Sequence, residues 1–103
     1  MRSSMVLVRT TLGTRDAADA LARHLVNAGL AACVHVQEVR SVYRWQGKVE
    51  EQREWLVEAR ALESRAVAVR EAMLVDHPYE LPVVETLTVT GISKEYRDWA
   101  RQS

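Results

Sequence analysis

Seven residues, Asp76-His77-Pro78-Tyr79-Glu80-Leu81-Pro82, group an imidazole, two carboxylates and a phenol around two prolines. Prolines fix backbone angles and lower the entropy lost in holding such groups in place. A neutral imidazole beside a carboxylate can bind a borderline cation such as copper or zinc. The plainer reading is a rigid, exposed connection from a helix to a strand. Cys33, His24 and His35 are the other candidate ligands, and no two candidates stand at paired ligand spacing such as Cys-x-x-Cys. Cys33 lies in an apolar strand and reads as a small buried hydrophobe; His24 and His35 read as solvated or structural. Ser41, Ser64 and Ser93 have no Gly-x-Ser-x-Gly context, and four glycines form no phosphate loop. Arg9 with Asn27 would be a thin basis for acylphosphatase-like chemistry, so an enzyme is the least supported class.

The elements that must position these groups follow from periodicity. Met5 to Thr11 is a short apolar, β-branched run and predicts a first strand. Thr14 is placed to cap a helix over residues 15–28, with Asp16 in its first turn and Gly29 as its left-handed stop. A second strand begins at Ala31 and runs to Trp45. Its apolar residues switch from even (Ala32, Val34, Val36) to odd (Val39, Tyr43, Trp45), which predicts a bulge at Gln37-Glu38. Gln46-Gly47 makes the turn, and Val49 to Ala61 forms the third strand, with Trp55, Val57, Ala59 and Ala61 on one face and Glu54, Glu58 and Arg60 on the other. Ser64 is placed to cap a second helix to about Asp76, ended by His77-Pro78. A strand over Val83 to Thr90 carries Glu85 on its apolar face, where it needs a partner. Ser93 is placed to cap a terminal helix from Lys94 to Arg101.

The order β-α-β-β-α-β with an added C-terminal helix predicts an α+β, ferredoxin-like sandwich of one domain, with both main helices on one face of a four-stranded antiparallel sheet. The β2-β3 hairpin is too long for so small a core, and Tyr43, Trp45 and Trp55 near its tip would lie wet. Both features predict an oligomer that covers the arm and the open sheet face.

Composition narrows the function classes. Fourteen basic residues against fourteen acidic ones leave no bulk field for nucleic acid or an anionic membrane surface. A single cysteine excludes an internal disulfide framework and suits a reducing compartment. The first residues, MRSSMVLVRTT, lack an export-signal core, and no apolar run approaches the ~20 residues of a membrane helix. A cytoplasmic location is the expectation.

Several segments together resemble one family. TT-x9-LA-x2-L-x4-LAACV from Thr10, S-x-Y-x-W-x-G from Ser41, a glutamate in the third strand, HPYE-x-P from His77 and the late Y-x-x-W are similar to the CutA divalent-ion tolerance proteins, from Val6 to Trp99. The resemblance implies a homotrimer knitted by its hairpins and associated with tolerance of copper and other divalent ions. It implies clefts between subunits holding Tyr43, Trp45, Glu54, Arg60, His77, Tyr79 and Trp99. His77, with Asp76 beside it, would be the metal ligand for copper or zinc, and no organic cofactor is implied. Some members carry a cysteine where this chain has Thr10 and a histidine where it has Asp76, so the site here is harder and weaker. The family's Lys-Thr reads Arg60-Ala61, its Pro-Gly at the kink in strand two reads Gln37-Glu38, and its acid after the second proline is absent at Val83. The alternatives are a trimeric sensor similar to PII-type proteins, taking a small anionic ligand with Arg60 and Arg44 or Lys48, and a trimeric scaffold for a partner protein.

Overall fold

A computed structural model describes residues 5–102; the first four residues of the N-terminal segment read above lie outside that range. The elements are β1 (Met5–Leu12), α1 (Arg15–Asn27), β2 (Cys33–Trp45), β3 (Lys48–Leu62), a 3-10 turn (Glu63–Arg65), α2 (Ala66–Leu74), β4 (Val84–Thr88) and α3 (Lys94–Arg101). The sheet is antiparallel in the order β2-β3-β1-β4, the ferredoxin-like arrangement expected from the element order.

The helix start is set locally. Thr14 Oγ1 accepts from the Ala17 N–H at 3.2 Å, and Asp16 occupies the first turn. Gly29 takes φ +71° and ends α1, while Leu30 and Ala31 both donate to the Leu25 carbonyl. The Arg65 side chain reaches back to the Gly29 carbonyl and ties this corner to α2. Ala18 and Leu25 of α1 and Val69 and Met73 of α2 pack on Val6, Val8, Val57 and Ala59 of the sheet, forming the buried core.

Four local expectations need correction. The β2-β3 register runs without interruption from Cys33↔Arg60 to Trp45↔Lys48, so no bulge stands at Gln37-Glu38. The apolar phase switches because the strand serves two layers. Val34 and Val36 pack against the helix-covered core, whereas Val39 and Tyr43 face the other side, beyond the reach of the helices. Trp55 is not at the wet tip either; it pairs with Leu12 and packs against the core, leaving Tyr43 and Trp45 exposed. Ser64 does not cap α2: a 3-10 turn intervenes, and Arg65 occupies the cap position with no side-chain bond. Ser93 holds the cap position of α3, also without a side-chain bond.

Glu85 finds its partner in Arg9 across the β1-β4 pair, at 2.7 Å, and Arg9 also approaches Glu58 at 3.6 Å. This triad lies on the face opposite α1 and α2. Tyr96 of α3 sits 5.7 Å from the Arg60 guanidinium, so α3 covers one end of that same face. The rest of it, and the hairpin arm, stays open in the single chain, which is 45 Å long and 27 and 21 Å across. Among the described residues, no helix is long and apolar enough to cross a membrane.

Candidate functional site

β-Strand alternation fixes which side chains of the arm share a face. Ser41, Tyr43 and Trp45 of β2 lie on the same side as Gln52 and Glu54 of β3, with Thr11 of β1 beside them. The connection from α2 to β4 carries Pro78, Tyr79 and Leu81 to the same place. Together they enclose an open cavity of about 700 Å³.

Its polar wall is a chain of hydrogen bonds with one direction. The Tyr43 hydroxyl donates to Gln52 Oε1 at 2.8 Å, the Gln52 amide donates to the Tyr79 hydroxyl at 3.3 Å, and that hydroxyl donates to Glu54 Oε2 at 2.6 Å. Every donor is aimed toward Glu54, which is 6% exposed. Such chains polarise along their length and reward full satisfaction. Burial pushes the Glu54 carboxyl up, but hydrogen bonding from Ser41, Tyr79, Thr11 and Gln52 outweighs it and leaves the group below its ordinary value of 4.5. Burial also pushes the Tyr79 phenol well above its usual range, reinforced by its bond to Glu54, so it stays protonated.

His77 sits behind this wall, its ring 5.0 Å from that of Tyr79 in an edge-on contact. The Tyr79 N–H donates to Nδ1 at 3.2 Å, so Nδ1 carries the lone pair. Nε2 must then carry the proton, which it gives to the Thr11 carbonyl at 3.2 Å with Thr10 Oγ1 at 3.0 Å. Both nitrogens of the neutral ring are occupied. Burial holds the His77 pKa below its ordinary 6.5, opposed by the Thr11 carbonyl and the Glu54 charge.

A depressed folded-state pKa means that the unfolded chain takes up the His77 proton first. Stability should therefore decline as pH falls below about 6.5, and a His77→Gln variant should lack that part of the decline. Urea unfolding of both proteins at pH 7.5 and 5.5 checks this; parallel losses would contradict it.

The predicted site residues divide into two groups. His77, Tyr79, Glu54, Tyr43 and Trp45 converge, with Asp76 exposed at their margin. Within the single chain, Arg60 and Trp99 lie apart from them. Arg60 lies six residues from Glu54 along β3, roughly 20 Å away. It stacks on Tyr96, which in turn packs against the exposed Trp99 at 5.3 Å. Arg44 and Lys48 are farther still from Arg60, near the hairpin turn. Sequence reasoning missed Gln52 and Ser41, both legible as face-sharing neighbours of Glu54, and gave Thr10 no contact of its own with His77.

A resident metal would need free donors, and the residues present do not fit one within a single chain. His77 has no uncommitted lone pair, and the described residues contain no group of three or more His, Cys, Asp or Glu side chains placed to share an ion.

Comparison with known proteins agrees with the architecture. Residues 6–103 match the family model of the CutA1 divalent ion tolerance protein. The divalent-cation tolerance protein CutA of Thermotoga maritima is 33% identical over 99 residues, covering 96% of this chain and 98% of its own. The structure of CutA from Synechococcus elongatus superposes with a TM-score of 0.92 at 35% identity, covering 99% of this chain and 92% of that one. A second structure of the Synechococcus elongatus protein, complexed with a Bis-Tris molecule, has a TM-score of 0.89 at 33% identity, covering 99% of this chain and 96% of that one. With its ferredoxin-like sheet, its long hairpin and a match over nearly its whole length, this chain belongs to the CutA1 divalent ion tolerance protein family.

Proposed function

We propose that this protein contributes to divalent-cation tolerance as a non-enzymatic, cytoplasmic homotrimer. Its clefts take a small molecule beside Glu54 and Tyr79, and copper or zinc enters near His77 and Asp76 only weakly. The observation that carries this reading is the committed imidazole. Both His77 nitrogens are already bonded, so an incoming cation must first displace the Tyr79 N–H or the His77 proton, whereas the cavity beside it is open. Thr10 stands beside His77 as a hydroxyl, a poor ligand for a soft ion compared with a thiolate. The trimer is supported by the exposed arm and the partly uncovered sheet face. It also offers a way to bring the Arg60–Trp99 end of one subunit to the His77 end of another. A small-molecule role is further supported by the Bis-Tris complex of the Synechococcus elongatus relative.

The test is isothermal titration with copper and zinc of the wild type and His77→Ala, with mass by light scattering. A trimer with weak, unsaturated heats that fall further in His77→Ala is expected. Saturable uptake of about one ion per subunit, abolished in His77→Ala, would replace this reading with direct chelation. A monodisperse monomer at micromolar concentration would remove the intersubunit cleft altogether.

A further inference from the structure

The free part of the hairpin begins where the β1-β3 ladder stops. That ladder ends at Leu12↔Trp55, so Val39 to Trp45 and Lys48 to Glu54 pair only with each other. A two-stranded ribbon is marginal on its own and twists more than a wider sheet, so its backbone bonds set its direction only loosely. Contacts outside the ribbon must fix where the arm points.

Glu54 is the first arm residue past the ladder. It collects four neutral side-chain donors: Ser41 and Gln52 from the arm, Thr11 from the end of β1, and Tyr79 from the connection between α2 and β4. Tyr79 also accepts from Gln52, which in turn accepts from Tyr43 near the tip. Among the described residues, each side-chain hydrogen bond from the arm to another element runs to or from Glu54 or Tyr79. The ion pairs Arg40–Glu51 and Arg53–Glu38 stay within the hairpin. On its other side Tyr79 is anchored to the core. Its N–H donates to His77, whose ring is bonded to Thr10 and Thr11 of β1. Gly13, just past β1, lies so close that a Cβ there would stand 3.4 Å from the Tyr79 hydroxyl.

We propose that Tyr79 latches the hairpin arm to the core, and that this latch sets the angle at which the arm meets a second copy of this chain. The proposal rests on the homotrimer part of the reading above. A braced arm has given up its freedom before association, so less ordering is left to oppose assembly. Its exposed side chains, Val42, Tyr43, Trp45 and Val49, are then presented in one arrangement.

Hydrogen exchange and subunit exchange, both on the full chain, test the latch. Gln52→Leu keeps a side chain of similar size and removes both the acceptor of Tyr43 and the donor to Tyr79. Amides of residues 39–54 are expected to exchange about tenfold faster in this variant, with those of Val57 to Ala61 unchanged. Isotope-labelled and unlabelled protein, mixed and followed by native mass spectrometry, is expected to trade subunits about tenfold faster as well. Tyr43→Phe cuts the chain of bonds at its outer end; it should move both readouts the same way by less, and it serves if Gln52→Leu fails to fold. Unchanged arm exchange, equal acceleration of arm and core, or unchanged subunit exchange with a loosened arm each overturns the proposal. A wild type that is monomeric in that spectrum overturns the homotrimer reading and the assembly half of the proposal with it, while arm exchange still decides the latch.

Discussion

Tyr79→Phe should destabilise the protein by about 2 kcal/mol at pH 7, and the deficit should shrink in acid. The substitution keeps the ring and removes one oxygen. That oxygen gives Glu54 a 2.6 Å donor and gives the Gln52 amide its acceptor, so both groups lose a partner in a part-buried setting. The pH dependence follows from linkage. In the wild type the Glu54 pKa lies below 4.5, so its contribution is present above that value and lost as pH falls through the folded-state pKa. Without the phenol the folded-state pKa rises and the contribution is smaller. Once the pH falls below the folded-state pKa of each protein, the carboxyl is protonated in both and the difference narrows. Urea unfolding at pH 7 and pH 3.5 measures it. A deficit near zero at neutral pH, or one unchanged in acid, would show that the Tyr79–Glu54 bond contributes little.

Leu25→Ala should cost about 3 kcal/mol and lower the Tm by roughly 15 °C. Leu25 is fully buried where α1 meets the sheet, in the cluster with Val8, Val57 and Val69. Its backbone carbonyl also takes the Leu30 and Ala31 N–H groups that turn the chain into β2, so the corner cannot easily close around a void. Leu25→Met keeps the volume and should cost under about 1.5 kcal/mol. Thermal unfolding at one fixed protein concentration is the appropriate measurement, since assembly would make Tm concentration-dependent. A loss below about 1 kcal/mol for Leu25→Ala would place the main packing elsewhere.

The parts of the fold legible in the sequence are those set by local chemistry. Thr14, Asp16 and Gly29 mark both ends of α1 through bonds a few residues long, and Gly47 takes its positive φ in the hairpin turn. The sheet order follows from right-handed crossovers, a rule of chain geometry. The misread positions were those where tertiary context decides. The apolar switch in β2 looks like a local defect because the sequence does not show that Val36 is the last apolar residue of the strand packed against the core, while the strand continues to Trp45. Ser64 looked like a cap, but the sharp return from β3 is made by a 3-10 turn. At the site, the aromatic and acidic residues were visible as types. The convergence of Tyr43, Gln52, Tyr79 and Glu54 depends on register, and the separation of Arg60 from His77 depends on strand length. His77 invited a metal reading because composition shows an imidazole and not the two partners that occupy it.

The hairpin also bears on the order in time in which the protein forms. Trp45 and Lys48 pair across a two-residue turn with φ +51° at Gln46 and +80° at Gly47, the positive angles of a tight hairpin. The β1-β3 ladder instead requires Met5 to find Leu62 across the helix and the whole arm. Loop-closure entropy rises with the span closed, so the short-range ladder can zip while the long-range one is still searching. A newly made chain would pass through a stage with a formed arm and no core beneath it. At that stage the outer edge of β2 and the rings of Tyr43 and Trp45 are open to any neighbouring strand, and folding competes with mispairing.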